Sequence, residues 1–383
     1  MASRIYAHVK GYFPDLSPPA FDAAYRRYIG RILRVDGRRE FDLASMELLA
    51  ALHDGHTWFH DSWLDESSGQ PVGFIAYPIA KRWTVVRSLL ESIDVGDVIV
   101  AIDGTPIEDF FARNRKYVSA SSDRDAGLGL FDTPAIFPDR FQLALAGGRT
   151  IIVDRKNGKR KPAPVAGTEG RWLTRGVAYI KVPTFRGIET QAQAIAYLKQ
   201  FRDARAVMVD VRGNPGGGYP VALKEALINQ PYRAWTQSNA TTGGDLVRTS
   251  SPTYPQRATT TTSEAVIRPR DPVHAGRLIL LIDRGCTSGC EDFVMPFKTA
   301  RLATLVGETT GGTFSDTASI AFDNGMRLNV AAVRHSFPDG SRFEGVGIAP
   351  DLPVATTAED LKASRDPVLH RALQIASSRS DPR

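Results

Sequence analysis

Apolar side chains recur at three- and four-residue spacing over residues 21–33 and 41–52, and this spacing predicts amphipathic helices within a mostly helical stretch from 1 to about 60. Asp54-Gly55 should close the second helix, so His56 is expected just past a helix end, on a turn. The pattern then changes. Val85-Val86, residues 97–102 and residues 141–145 read as strands, Asp103-Gly104 as a tight turn, and Gly147-Gly148 as the turn of a hairpin running into 150–153. A Lys-, Pro- and Gly-rich connector covers 156–170. Beyond Trp172 strands alternate with helices: strand 177–182, helix 191–202, strands 206–211 and 278–282, helix 291–300. That alternation predicts an α/β unit built on a largely parallel, helix-covered sheet. The polar, Thr-rich segment 236–275 reads as a long loop or insertion, and 376–383 as a disordered tail. The resulting organisation is a helical region at 1–65 that carries His56, a β-rich domain at 70–156, and an α/β core at 170–375.

Composition narrows the function classes. The 383 residues are 42% hydrophobic and 23% charged, the balance of a folded protein with more than one core. The net charge of +6 arises from 48 basic and 42 acidic residues mixed along the chain, so no nucleic-acid partner is expected. No stretch approaches the roughly 18 apolar residues of a membrane span, and residues 1–19 have no apolar leader core. With Cys286 and Cys290 as the two cysteines, a disulfide framework is not expected, and buried packing is favoured for both. The expected location is therefore cytoplasmic.

Two turns carry candidate chemistry. Ser288 stands in Cys286-Thr287-Ser288-Gly289-Cys290-Glu291, between a strand and a helix, where the helix dipole and the Gly289 N–H favour a developing oxyanion. Ser288 and Glu291 also have the spacing of a capping box, and locally cap and nucleophile stand level. Asp210-Val211-Arg212-Gly213-Asn214-Pro215-Gly216-Gly217-Gly218 follows a buried strand and exposes backbone N–H groups, so Gly216 and Gly217 are candidate oxyanion donors opposite Gly289. His53, His56 and His60 lack a His-Glu-x-x-His pattern and a cysteine cluster, so no metal is expected.

In these segments the chain resembles the tail-specific and tricorn-core serine protease family. Leu52-His53-Asp54-Gly55-His56-Thr57 is similar to the tricorn-type histidine motif, 95–104 to the strand-turn core of a PDZ domain, and Pro71-Val72-Gly73-Phe74 to its carboxylate-binding loop. Residues 210–217 are similar to the family's Gly-Gly turn, 286–291 to its nucleophile turn, and 344–351 to the tricorn-type Glu-x-x-Gly-Val-x-Pro-Asp. The resemblance implies a ClpP/crotonase-like α/β catalytic core with a PDZ-like domain and an N-terminal helical region. It implies Ser288 as nucleophile and His56 as general base, with Glu344, or else Asp54, orienting the ring. Gly73, Phe74, Arg212 and Asn214 would meet substrate, no cofactor would be needed, and the partner would be a peptide or unfolded-protein substrate; a homo-oligomer is compatible with it.

Two departures bear on mechanism. Where the processing proteases place a catalytic lysine this chain has Thr309-Thr310-Gly311-Gly312-Thr313, and Lys298 reads as a surface residue, which removes a Ser/Lys dyad. Gly55 stands where the tricorn core has a serine before its histidine. Besides a serine peptidase, the same residues would suit a small-ester acyl hydrolase, and the scaffold would suit a catalytically silent ligand- or peptide-binding protein.

Overall fold

Strands Ala206–Asp210 and Arg277–Ile282 are apolar except for Asp210 and Arg277 at their ends, and runs of this kind are stable as strands only when both sheet faces are covered. In the computed structural model, which describes residues 1–67, 71–159, 167–242, 257–262, 265–269, 272–274 and 276–378, they lie parallel at the centre of a six-stranded sheet. Val177–Lys181 and Thr304–Gly307 flank them in parallel, the short Leu352–Pro353 continues one edge, and Glu169–Thr174 closes the other in antiparallel sense. Side chains alternate between the faces. Val207, Val209, Leu278, Leu280 and Ile282 pack among residues of helices Ile188–Gln200, Val221–Leu227 and Gly289–Thr299. Met208, Ile279 and Leu281 pack against helix Pro367–Ser377. That helix occupies the start of the expected tail, whose residues 379–383 lie outside the described residues.

Phe74–Ile79, Arg82–Ser88, Val98–Ile102, Arg140–Leu145 and Thr150–Asp154 form an antiparallel sheet with its own core around Trp83, Phe131, Phe137 and Phe141. The two turns expected here are present: Asp103 and Gly104 both have positive φ (46° and 73°), as do Gly147 and Gly148 (88° and 85°). This sheet meets the α/β core where Arg284 Nη1 donates to the Pro78 carbonyl (2.9 Å).

The Thr-rich segment differs from its expectation as a loop. Thr236–Thr242 pairs with Arg257–Thr262 as an antiparallel hairpin, and Thr236–Thr242 also pairs with Val333–Ser336. Threonine is β-branched and favours strands, which a reading based on polarity alone misses. Residues 243–256 lie outside the described residues.

The N-terminal helices Ala2–Tyr12, Pro18–Ile32 and Arg38–Ala50 do not form a bundle of their own. Their apolar stripes (Ile5, Val9, Phe21, Leu48, Leu49) close over Met326, Leu328, Val330 and Ala331 of a three-stranded sheet in the second half of the chain. Strand Trp58–Asp61 is added to that sheet, antiparallel to Met326–Ala331. The loop carrying His56 is thereby anchored at its C-terminal side to residues more than 250 positions away: Asn329 Nδ2 donates to the His56 carbonyl (2.6 Å), and the Ala331 N–H donates to Thr57 Oγ1 (3.0 Å). Leu328, fully buried under the helices, carries much of this docking. Leu328→Ala is expected to lower unfolding free energy by about 2–5 kcal/mol in urea titration; a change below about 1 kcal/mol would show that the helices are held otherwise.

Candidate active site

Gly213 to Gly218 and Asp283 to Ser288 extend from the C-terminal ends of the two adjacent central strands. The turns brace each other: Gly213 N–H donates to Asp283 Oδ1 (2.8 Å), and Thr287 N–H to the Asn214 carbonyl (3.1 Å). Ser288 is the last residue before helix Gly289–Thr299 and takes φ 55°, ψ −124°. A non-glycine residue in that region is strained, and the strain is held by surrounding bonds: its N–H donates to the Thr313 carbonyl (2.8 Å), and its carbonyl accepts from Glu291 N–H (2.8 Å).

The structure separates the two readings of Ser288. Its side chain makes no capping bond to its helix. Instead Oγ lies 3.2 Å from His56 Nε2, across 232 positions of sequence. Glu291, the other half of the capping-box pattern, is fully buried and turns away to accept from Thr310 Oγ1 (2.5 Å), Gly312 N–H (2.7 Å) and Thr313 N–H (2.9 Å). Burial pushes its carboxyl up to about 8 despite these three donors.

His56 is half-buried, and its other nitrogen, Nδ1, lies 3.1 Å from Thr313 Oγ1. Neither expected carboxylate bonds to the ring. Asp54 Oδ1 accepts from the His56 backbone N–H (2.9 Å) and Thr57 Oγ1 (3.1 Å), while Oδ2 accepts from Arg334 Nη1 (3.0 Å). Asp54 thus shapes the loop and reaches the imidazole through its charge alone. Glu344 Oε1 bonds to Ser121 Oγ, which itself accepts the Gly55 N–H (2.9 Å), and Oε2 lies 3.1 Å from Arg334 Nη1 without hydrogen-bond geometry. Burial, then repulsion from Asp54, pushes the Glu344 carboxyl up to about 8, against the pull of Arg334.

Among the expected oxyanion donors, Gly216 drops out because its N–H is taken by Asn214 Oδ1 (2.8 Å). Among the described residues no acceptor meets the N–H of Gly289 or Gly217. Gly216 is required for another reason: with φ 80°, a Cβ there would lie 2.5 Å from the Gly289 nitrogen and 2.9 Å from Ser288 Cβ.

Of the residues expected to meet substrate, the side chains of Arg212, Asn214 and Phe74 are engaged elsewhere. Arg212 is clamped by Asp210 (2.6 Å) and Asp366 (2.8 Å). Asn214 is fully buried, with Nδ2 on the Val182 carbonyl (2.9 Å), and so builds its turn. The Phe74 ring is in the core of the antiparallel sheet, 4.8 Å from that of Phe131, and the Gly73 carbonyl accepts from Leu89 N–H (2.8 Å). Lys298, read as a surface residue, pairs with Asp351 (2.5 Å).

Cys286 and Cys290, expected as separate packed thiols, are joined as a disulfide that brackets Ser288. The first lies in the turn and the second in the first helical turn, which brings their Cα atoms to 5.3 Å. Both are fully buried. The cysteines therefore give no support to a reducing compartment. The residue that sequence reasoning passed over is Thr313, which was noted only as part of a segment without lysine; the signal available was its place in that segment.

Compared with known proteins, residues 176–354 match the model of peptidase family S41. The chain is 23% identical over 268 residues to the chloroplastic C-terminal processing peptidase of Tetradesmus obliquus, covering 67% of this chain and 52% of that one. It thus spans about half the length of this curated relative. Among solved structures it is similar to mature CPAF complexed with lactacystin (TM-score 0.72, 15% identity, 98% of this chain and 96% of that one). It is also similar to the tricorn protease (TM-score 0.53, 14% identity, 98% and 36%). At these identities the solved structures speak to the fold alone, a mixed α/β architecture.

Burial is the main influence on the His56 ring and holds its pKa below the usual 6.5; Asp54 and Asp316 oppose this, and Arg334 adds to it. A base with a lowered pKa stays neutral to lower pH. The rate of Ser288 modification by a fluorophosphonate should therefore fall with an acid limb below pH 6.5. A limb at or above 6.5 would mean that a carboxylate charge dominates the ring.

Proposed function

We propose that this chain, residues 176–354 of which match the model of peptidase family S41, is a serine peptidase that hydrolyses peptide bonds through an acyl-enzyme on Ser288. The observation that carries the reading is the 3.2 Å approach of His56 Nε2 to Ser288 Oγ, with Oγ relieved of any capping bond. A serine hydroxyl is a weak nucleophile until a base removes its proton. His56 takes that proton as Oγ attacks the scissile carbonyl, then delivers it to the leaving amine, and repeats the exchange with water to release the acyl group. The tetrahedral oxyanion is met by the N–H groups of Gly289 and Gly217, the former at the positive end of its helix. Arg212 and Asn214 act by holding the glycine turn in shape. No step calls for a cofactor.

The substrate in this reading is a peptide or an unfolded segment of protein. Among the described residues Phe74–Ile79 is one of the two outer strands of its sheet, the other being Thr150–Asp154, and an extended peptide can add to such an edge through main-chain bonds. This is the role that a PDZ-like domain at 70–156 would have.

The test is fluorophosphonate labelling of wild type, Ser288→Ala and His56→Ala, with the modified peptide identified by mass spectrometry. Labelling at Ser288 is expected, lost in Ser288→Ala and slowed about a thousandfold or more in His56→Ala. Absence of labelling in folded wild type would leave a binding protein. Labelled enzyme that cleaves small esters and no peptide would leave an acyl hydrolase. Amidation of a peptide's C-terminus is expected to slow turnover if the edge strand receives its carboxylate, and equal rates for acid and amide would remove that role.

A further inference from the structure

The imidazole of a catalytic histidine needs a partner that fixes which nitrogen carries the proton, and among the described residues no carboxylate bonds to the ring. We infer that Thr313 is the positioning residue for His56: its hydroxyl oxygen accepts the Nδ1 proton, which leaves the Nε2 lone pair facing Ser288. The inference rests on the serine-peptidase reading and deepens it.

Four observations converge on Thr313. Its Oγ1 is 3.1 Å from Nδ1, while Nε2 of the same ring is 3.2 Å from Ser288 Oγ. If Ser288 is to give its proton to Nε2, Nδ1 must be the protonated nitrogen, and Oγ1 is then its acceptor. Thr313 is also tied to the nucleophile, because its carbonyl accepts the Ser288 N–H (2.8 Å). One residue thus sets the height of the serine and the tilt of the histidine. Thr313 is itself held rigidly: it is 6% exposed, and its N–H donates to the buried Glu291 (2.9 Å). Finally, Gly55 leaves the space that the hydroxyl fills. A Cβ at residue 55 would lie 2.5 Å from Thr313 Oγ1 and 3.0 Å from Asp125 Oδ2. The missing side chain before His56 and the hydroxyl at 313 are two halves of one arrangement.

A neutral hydroxyl differs from a carboxylate in its effect. It fixes the tautomer without adding a full negative charge beside the ring, so the imidazolium is stabilised by one hydrogen bond and by more distant charges. The charged and titratable groups acting on the ring are Asp54, Asp316, Arg334 and the buried His335, and all are unchanged by substitution at 313.

The experiment measures the second-order rate of Ser288 modification by a fluorophosphonate across pH 4–9 in wild type, Thr313→Ser, Thr313→Val and Gly55→Ala, with urea midpoints for each. Thr313→Val keeps the shape and both backbone bonds and removes the oxygen. It is expected to slow labelling roughly tenfold to a hundredfold and to move the acid limb to lower pH, because the imidazolium loses its acceptor. Thr313→Ser is expected to restore both rate and limb, and Gly55→Ala to slow labelling by crowding the hydroxyl. Equal rates and limbs in wild type and Thr313→Val would overturn the inference, as would equal losses in Thr313→Ser and Thr313→Val. A rate loss in Thr313→Val that follows a fall in urea midpoint, with the limb unmoved, would overturn it as well. Wild type unlabelled at Ser288 would instead overturn the serine-peptidase reading on which it rests.

Discussion

Glu291 is fully buried, and a carboxyl group taken out of water must be met by donors. Three come to it, all from residues 310–313: Thr310 and Gly312 meet one oxygen, and Thr313 N–H meets the other. This meeting fixes the segment that runs past the nucleophile. Thr313 is fixed with it, and through its carbonyl so is the strained backbone of Ser288. The disulfide between Cys286 and Cys290 closes the same turn from the other side. A residue with the spacing of a helix cap has thus become the anchor of the site, and the serine that would have been its partner is free for chemistry.

The second constraint is one of assembly. Ser288 belongs to the α/β core and His56 to a loop after the third helix. They meet because the apolar stripes of the first three helices share one core with the sheet containing Met326–Ala331. Burying those stripes brings strand Trp58–Asp61 into register with Met326–Ala331, and the register places His56. The ion cluster below it completes the seam: Arg334 joins Asp54 (3.0 Å), Asp15 (2.5 Å) and Glu344 (3.1 Å), groups from both ends of the chain. Arg334 is largely shielded from water, so removing the buried Asp54 would leave its charge poorly compensated, and the cluster favours a single docking. Catalytic geometry and folding of the N-terminal region are therefore one event.

What was legible in the sequence follows the same division. The central strands could be read because a continuous apolar run has few other stable uses, and the turns at Asp103-Gly104 and Gly147-Gly148 because positive φ selects glycine. His56, Ser288 and the glycine turn were visible as motifs. Their partners were not, since partners are a tertiary property. Glu344 and Asp54 carry the right charge, yet the fold spends them on Ser121, Arg334 and the loop backbone. Gly216 looked like an oxyanion donor because sequence does not show that Asn214 two residues earlier already holds its N–H. The hairpin of Thr236–Thr242 with Arg257–Thr262 was hidden by its polarity, whereas the pair Thr317–Ala321 and Met326–Ala331 was legible but missed, since Asn324-Gly325 between them is a strong hairpin signal.

The central claim is that the fold poses His56 as a neutral base with its lone pair toward Ser288. Its most direct test is the nitrogen NMR spectrum of uniformly labelled protein at neutral pH, with the His56 ring assigned by His56→Gln. The account predicts a neutral ring protonated at Nδ1, with Nε2 as the acceptor nitrogen. A ring protonated at Nε2, or one already cationic at that pH, would contradict it.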